Sequence, residues 1–95
     1  MYSVVTYTPG CPPDKDAYET RDATDALRVL RTELVQAGDA LITRQRTAHD
    51  AGRVRDELAH VLDELDEYGD YILRTVGHFG LTLGGRYHSA WRATL

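Results

Sequence analysis

Two long apolar stripes with the period of an α-helix constrain the fold of this chain more than any other feature. The first lies between Ala23 and Ala37, and the second begins at Val54 and can be followed to Phe79. Most members recur every three or four residues: Ala23, Ala26, Leu27, Leu30, Leu34 and Ala37, then Val54, Leu58, Val61, Leu62, Leu65, Tyr68, Ile72, Val76 and Phe79. This spacing puts apolar side chains on one helical face, so the sequence predicts two amphipathic helices.

Capping residues and glycines indicate where these helices begin and end. Asp22 stands ahead of the first stripe and Asp50 ahead of the second, where an aspartate can accept hydrogen bonds from the first free amides. Gly38 either ends the first helix or is a weak point in a helix that runs on. Gly69 and Gly77 are candidate ends or kinks of the second, since each interior glycine costs about 1 kcal/mol relative to alanine.

The flanking segments are shorter and favour extended structure. Residues 2–8 read YSVVTYT, and their β-branched and aromatic content predicts a strand. The Pro-rich run in residues 9–13 then ends regular structure. Near the other end, the adjacent glycines Gly84 and Gly85 fit the turn of a short β-hairpin, and a helical turn from Tyr87 to Leu95 is the alternative.

The predicted fold is therefore a helix-dominated α+β domain. With 95 residues the chain can bury one modest core, so we expect a single domain over residues 1–95. A strand and Pro-rich loop would occupy residues 1–21, an antiparallel pair of long amphipathic helices residues 22–79, and a C-terminal tail, with a short hairpin or helical turn, residues 80–95. The alternative is an all-α helical hairpin with an extended N-terminal arm.

Composition excludes several classes of protein. Cys11 is the only cysteine, so the chain can form neither an internal disulfide nor a cysteine-based zinc site. No apolar run approaches the roughly 20 residues that a bilayer requires, and the N-terminus lacks the pattern of a secretory signal. These observations predict a cytoplasmic protein.

The net charge of −4 averages over segments of opposite sign. Residues 41–55 carry a net +3, residues 56–70 a net −7 and residues 71–95 a net +3. The second helix therefore holds bases near its start and acids near its end, an order that the helix dipole disfavours. Two copies of this helix packed antiparallel would pair opposite charges, with the candidate pairing residues Arg53, Arg55, Asp63, Asp66 and Glu67. Pairing of the acids within the chain, to Arg28 and Arg31, is the alternative.

The C-terminal segment combines aromatic and basic residues. Tyr87 and Trp91 are candidate apolar anchors for a protein partner, and completion of the core is an equally good interpretation. Arg74, Arg86 and Arg92 could contact nucleic-acid phosphates beside these aromatic rings. Because the protein as a whole is acidic, we do not expect a nucleic-acid partner.

No catalytic or metal-binding constellation survives inspection. His60 and His78 would lie about 27 Å apart along one helix and cannot share a metal ion. The segments Thr32-Glu33-Leu34 and Asp56-Glu57-Leu58-Ala59-His60 resemble the acidic motifs of all-α NTP pyrophosphohydrolases of the MazG type. Gln36 and His60 replace acids that those enzymes need for Mg²⁺. We therefore predict no enzymatic activity, metal or cofactor.

The first third of the chain resembles small orphan proteins of actinobacteriophages. The resemblance rests on Tyr7-Thr8-Pro9-Gly10, on Tyr18-Glu19-Thr20 and on Asp25-Ala26. It implies a phage gene expressed in an actinobacterial host and supplies no site residues.

Together these features predict a small non-enzymatic accessory protein of phage type, located in the host cytoplasm. Its partner would be a host protein or a second copy of itself, held by the charged helix faces and the C-terminal aromatic patch, with no membrane contact. The alternatives are a nucleic-acid-binding accessory protein that uses the tail, and a degenerate enzyme similar to the NTP pyrophosphohydrolases.

Overall fold

The computed structural model describes residues 1–13 and 16–93. The elements in chain order are β1 (Tyr2–Tyr7), β2 (Tyr18–Thr20), α1 (Ala23–Arg44), α2 (Ala48–Glu64), a π-helical turn (Leu65–Gly69), α3 (Asp70–Val76), β3 (His78–Leu83) and β4 (Arg86–Arg92). The strands form one antiparallel sheet in the order β2-β1-β4-β3. The helix-rich mixed fold is confirmed in this coarse form, and the all-α alternative is wrong.

Helix α1 follows its predicted stripe and continues past Gly38. Asp22 caps it as predicted, because its carboxylate accepts a hydrogen bond from the Thr24 amide at 3.1 Å. Gly38 is buried, and a Cβ there would lie 2.6 Å from a methyl carbon of Leu58. The glycine therefore allows α2 to approach α1 closely, and the interpretation in which the helix runs on is the correct one.

The second helical segment differs from its prediction at both ends. Thr47, rather than Asp50, caps α2 and accepts a hydrogen bond from the Asp50 amide at 3.0 Å. The helix passes Gly69 as a π-helical turn and ends at Val76, because Gly77 adopts a left-handed backbone with φ of 87°. The predicted continuation to Phe79 is wrong, since that residue lies in β3.

The C-terminal tail forms a hairpin, which is one of the two alternatives that the sequence predicts. β3 and β4 pair from the His78–Trp91 pair to the Leu83–Arg86 pair around the Gly84-Gly85 turn. The helical turn predicted from Tyr87 is wrong up to Arg92, and its end at Leu95 lies outside the described residues. β2 adds the fourth strand, in a region where the sequence predicts a loop.

The helices cover one face of the sheet, and the hydrophobic core lies between them. Its members are Val4, Ala23, Ala26, Leu30, Leu34, Val61, Leu65, Leu73, Phe79, Leu81, Leu83 and Ala90. Within the described residues, no helix combines the length and apolar character needed to cross a membrane.

Candidate binding surface on the open face of the sheet

The face of the sheet that points away from the helices carries a cluster of aromatic rings. Side chains alternate between the two faces of a strand, so the neighbours of the buried Val4, Ala90 and Phe79 point to the opposite side. The strand register brings four rings together there, one from β1, one from β3 and two from β4: Tyr7, His78, Tyr87 and Trp91. We call these four residues the aromatic cluster and the side that they occupy the open face.

The rings of the aromatic cluster are in continuous contact. The rings of Tyr7 and Tyr87 meet edge to face, with their centroids 5.6 Å apart. The Tyr87 hydroxyl forms a hydrogen bond of 2.8 Å with Nε2 of His78. The imidazole of His78 stacks on the Trp91 indole at a centroid distance of 3.7 Å and an interplanar angle of 27°. The cluster therefore spans three neighbouring strands.

Two small residues beneath the rings hold the cluster in place. A Cβ at Gly80 would overlap the phenol of Tyr87, so the missing side chain lets that ring lie against β3. Ser89 is fully buried under the cluster, accepts a hydrogen bond of 2.9 Å from Nε1 of Trp91, and donates one of 3.2 Å to the Val5 carbonyl. The indole N–H and the Tyr87 hydroxyl thus already have partners, and the cluster presents ring surfaces outward.

Burial favours the uncharged forms of His78 and Tyr87. Desolvation lowers the pKa of His78 below its usual value of 6.5. Desolvation, and to a lesser extent the neighbouring Tyr7, raise the pKa of Tyr87. Apart from His78, Glu19 is the only acidic or basic residue that the register places on the open face among the described strand residues. The surface is therefore suited to apolar or planar groups.

The structure brings together only some of the residues predicted as a site. Tyr87 and Trp91 share the open face, and Trp91 is 42% exposed. Arg86 and Arg92 alternate with them along β4 and therefore point to the other side of the sheet. Arg92 donates a hydrogen bond of 2.9 Å to the Arg74 carbonyl in the last turn of α3. Arg86 and Arg92 therefore lie on the opposite face of the sheet from the aromatic rings of β4, and the joint use of these residues in nucleic-acid binding stays a prediction.

The charged residues predicted for helix pairing lie on the outer surface of the second helical segment. Arg53, Arg55, Asp63 and Glu67 are exposed there. Asp66 accepts two hydrogen bonds from Arg31 of α1, at 3.0 and 3.2 Å. Pairing within the chain therefore accounts for Asp66, whereas Arg28 binds Asp25 of its own helix at 2.6 Å. The antiparallel pairing of two copies through α2 stays a prediction.

A second polar group lies between the sheet and α1. His88 is only 2% exposed, and its Nδ1 lies 3.0 Å from Oγ1 of Thr6, which in turn donates to Glu33 at 3.5 Å. Burial lowers the pKa of His88, and the nearby Arg86 lowers it further. His88 lines a cavity of about 140 Å³, which is small beside the roughly 300–1,000 Å³ of typical ligand pockets. We interpret this group as structural.

Acidic residues do not converge in the described part of the chain. Glu33 points to Thr6, whereas Glu57 accepts a hydrogen bond of 3.2 Å from the Gly84 amide. No group of three or more metal-ligating side chains occurs within residues 1–13 and 16–93.

Sequence reasoning missed two members of the aromatic cluster. The sequence predicts Tyr7 only as part of a strand, and it predicts His78 on a helix. Because Tyr7 follows Thr6 in a predicted strand, the two side chains should point to opposite faces of a sheet. Which rings lie beside Tyr7, however, depends on which strand pairs with β1. Comparisons with protein-family models, with curated proteins and with solved structures find no match to this chain. The open face is therefore the feature of the molecule from which a function can be inferred.

Proposed function

We propose that the chain is a small non-enzymatic accessory protein that holds a partner protein on the open face of its sheet. The observation that carries the proposal is the aromatic cluster, which lies on the face that the helices leave uncovered. The resemblance of the first third of the chain to small actinobacteriophage proteins favours a host protein as the partner. The exposed charges of α2 would then steer the encounter rather than supply most of the affinity.

The cluster has the properties of an interface centre. Tyrosine and tryptophan are enriched among the residues that contribute most to binding, because they bury a large area while few torsions must be ordered. Here contacts with His78, Gly80 and Ser89 already order the rings of Tyr87 and Trp91. Little conformational entropy remains to be lost when a partner binds, which favours affinity.

Charge favours a protein over a nucleic acid. Bases can stack on aromatic rings, but binding of single strands also needs cations that follow the phosphates. The two arginines of β4, Arg86 and Arg92, lie on the opposite side from Tyr87, and Glu19 adds negative charge to the open face. An apolar segment of a protein, with aliphatic, proline or aromatic side chains, fits this surface better.

The test uses the only tryptophan of the chain as both anchor and probe. Proteins retained from an actinobacterial lysate by the wild type are purified and titrated against it, and the Trp91 emission is followed. We expect the emission to shift on binding. Trp91→Ala lacks this probe, so its binding is measured by calorimetry and should be at least thirtyfold weaker, because a central aromatic anchor contributes about 2 kcal/mol or more.

Tyr71→Ala is the matched control, because Tyr71 is an exposed aromatic residue of α3 outside the open face. It should bind like the wild type. Tyr7→Ala serves as a second test at the edge of the cluster, and circular dichroism verifies that each variant is folded. Equal capture by the wild type and a folded Trp91→Ala variant would refute the proposal. So would binding of a single-stranded oligonucleotide that depends on Trp91.

A further inference from the structure

β3 forms one edge of the sheet, and its hydrogen-bonding pattern can be read from the turn beside it. Gly84 and Gly85 both have positive φ, 58° and 79°, as in a two-residue type I′ turn. The residues flanking such a turn form a hydrogen-bonded pair, here Leu83 with Arg86. The bond from the Arg92 amide to the Gly77 carbonyl, 2.8 Å long, falls in the same alternate series. The odd-numbered residues of β3 therefore bond to β4.

The even-numbered residues of β3 consequently direct their backbone groups outward. These are His78, Gly80 and Thr82, and β4 is the only strand that pairs with β3 among the described residues. Apart from His78, whose imidazole bonds to the Tyr87 hydroxyl, the strand HFGLTL contains no acid, base or proline. Proteins usually protect an edge strand with such residues, because its free N–H and C=O groups can pair with another strand. The opposite edge, β2, is only three residues long and carries Glu19.

An apolar strip runs along the helical segment beside this edge. Tyr68, Ile72 and Val76 follow one another at intervals of four residues, and Tyr68 and Val76 are 51% and 70% exposed. Arg74, which binds Thr24 of α1 at 3.1 Å, marks the side of α3 that faces α1. Positions two residues away from Arg74 point about 200° from it, so Ile72 and Val76 lie on the side away from α1. Because α3 packs on β3, that side lies next to the free edge.

We propose that a second copy of this chain pairs its β3 antiparallel with this edge, so that two sheets join into one of eight strands. In the register that aligns the outward groups, Gly80 faces Gly80 of the second copy and His78 faces Thr82. This arrangement is isologous, as a two-fold dimer requires. It places no like charges opposite each other, since His78, the only ionisable residue of β3, faces Thr82 of the second copy.

The apolar strip meets its own copy in the same dimer. At about 3.3 Å per strand residue, Gly80 lies about 10 Å along the sheet from Gly77. At 1.5 Å per helical residue, the same distance corresponds to about seven residues counted back from Gly77 along the helix. Gly80 is therefore level with a point between Tyr68 and Ile72. The two-fold axis therefore passes near the middle of the strip, and apolar side chains from both copies flank it.

The proposed dimer leaves the aromatic cluster uncovered. Directly opposed residues of an antiparallel pair point to the same side of a sheet, so both open faces would form one continuous surface. The edge dimer is also distinct from the charge pairing predicted for α2. Its failure would leave the proposed function untouched, because binding on the open face does not require it.

The test measures oligomeric state by sedimentation of the full chain across the micromolar range. The wild type is expected to change from monomer to dimer with concentration. Thr82→Pro removes one outward N–H, and an edge strand tolerates proline where that group faces outward. We expect this variant to dimerise at least tenfold more weakly. Thr82→Val at the same position keeps the N–H and should dimerise like the wild type.

Amide hydrogen exchange locates the interface. The amides of His78, Gly80 and Thr82 should exchange slowly in concentrated protein and quickly after dilution, while core amides stay protected. If Thr82→Pro does not fold, Tyr68→Asp places a charge beside the two-fold axis in both copies and should have the same effect. A wild type that stays monomeric, or a folded Thr82→Pro variant that dimerises like the wild type, would overturn the proposal.

Discussion

The substitution Gly80→Ala tests whether the aromatic cluster is built as described. The new Cβ would overlap the phenol oxygen and Cζ of Tyr87, and the backbone of β3 cannot move away without disturbing β4. The phenol must therefore leave its position, which breaks its hydrogen bond with His78 and its edge-to-face contact with Tyr7. A single added methyl group should thus disturb the cluster on all three strands that it spans.

The expected loss of stability follows from these contacts. The hydrogen bond contributes about 0.5–1.5 kcal/mol and the ring contact a similar amount. Alanine offsets about 0.4–1 kcal/mol by restricting the unfolded chain. We expect Gly80→Ala to lower the free energy of unfolding by about 1–2 kcal/mol, and each kcal/mol lowers the melting temperature by about 4–8 °C in a domain of this size.

The sign of the effect should reverse when Tyr87 is absent. In a Tyr87→Ala background nothing opposes the new methyl group, and Gly80→Ala should stabilise the protein by about 0.4–1 kcal/mol. Urea denaturation of all four proteins, at one fixed protein concentration, gives a double-mutant cycle with a coupling energy of about 1.5–3 kcal/mol. Equal destabilisation in both backgrounds would refute the described packing, and so would a stabilised Gly80→Ala single variant.

Two further predictions concern the backbone and the histidines His78 and His88. Gly77→Ala should destabilise the protein by about 1–2 kcal/mol, because φ is 87° at this position. Gly52 lies inside α2 with open space where a Cβ would stand, so Gly52→Ala should be neutral or stabilising by up to about 1 kcal/mol. Urea denaturation measures both effects. Because burial lowers the pKa of His88 and of His78 below 6.5, the unfolded chain binds more protons as the pH falls. Stability should be intact above about pH 6.5 and decrease as the pH falls towards the folded-state pKa values, so the urea midpoint should drop between about pH 7.5 and about pH 5.5, and drop less in His88→Gln. A midpoint that rises over this interval would contradict the sign.

Local periodicity predicted the helices well where the chain stays helical and failed where one glycine reversed its direction. Phe79 matches the apolar phase of the second helix, yet it lies in β3 and packs into the same core. Periodicity detects burial, and Phe79 is buried in either structure. The left-handed conformation of Gly77 ends the helix, and this conformation depends on the pairing of β3 with β4.

Strand β2 is an element that the local sequence pattern does not predict. Its three residues, Tyr18 to Thr20, have no apolar alternation and form a strand only because β1 pairs with them. Likewise, the choice between an interrupted and a continuous α1 depended on Leu58, which lies 20 positions beyond Gly38 and packs against it. Neither outcome has a local cause that a reading of neighbouring residues could find.

The candidate site also combines features set by local sequence with features set by tertiary contacts. The sequence by itself determined two amphipathic helices, a strand-forming N-terminus, a candidate glycine turn, and Tyr87 and Trp91 as aromatic residues that share one face of either a strand or a helical turn, because these depend on residues close together in the chain. Only the tertiary structure decided that the arginines of β4 face away from these rings and that Tyr7 and His78 join them. The physical reason is that strand register and helix placement are set by contacts between residues that lie far apart in sequence.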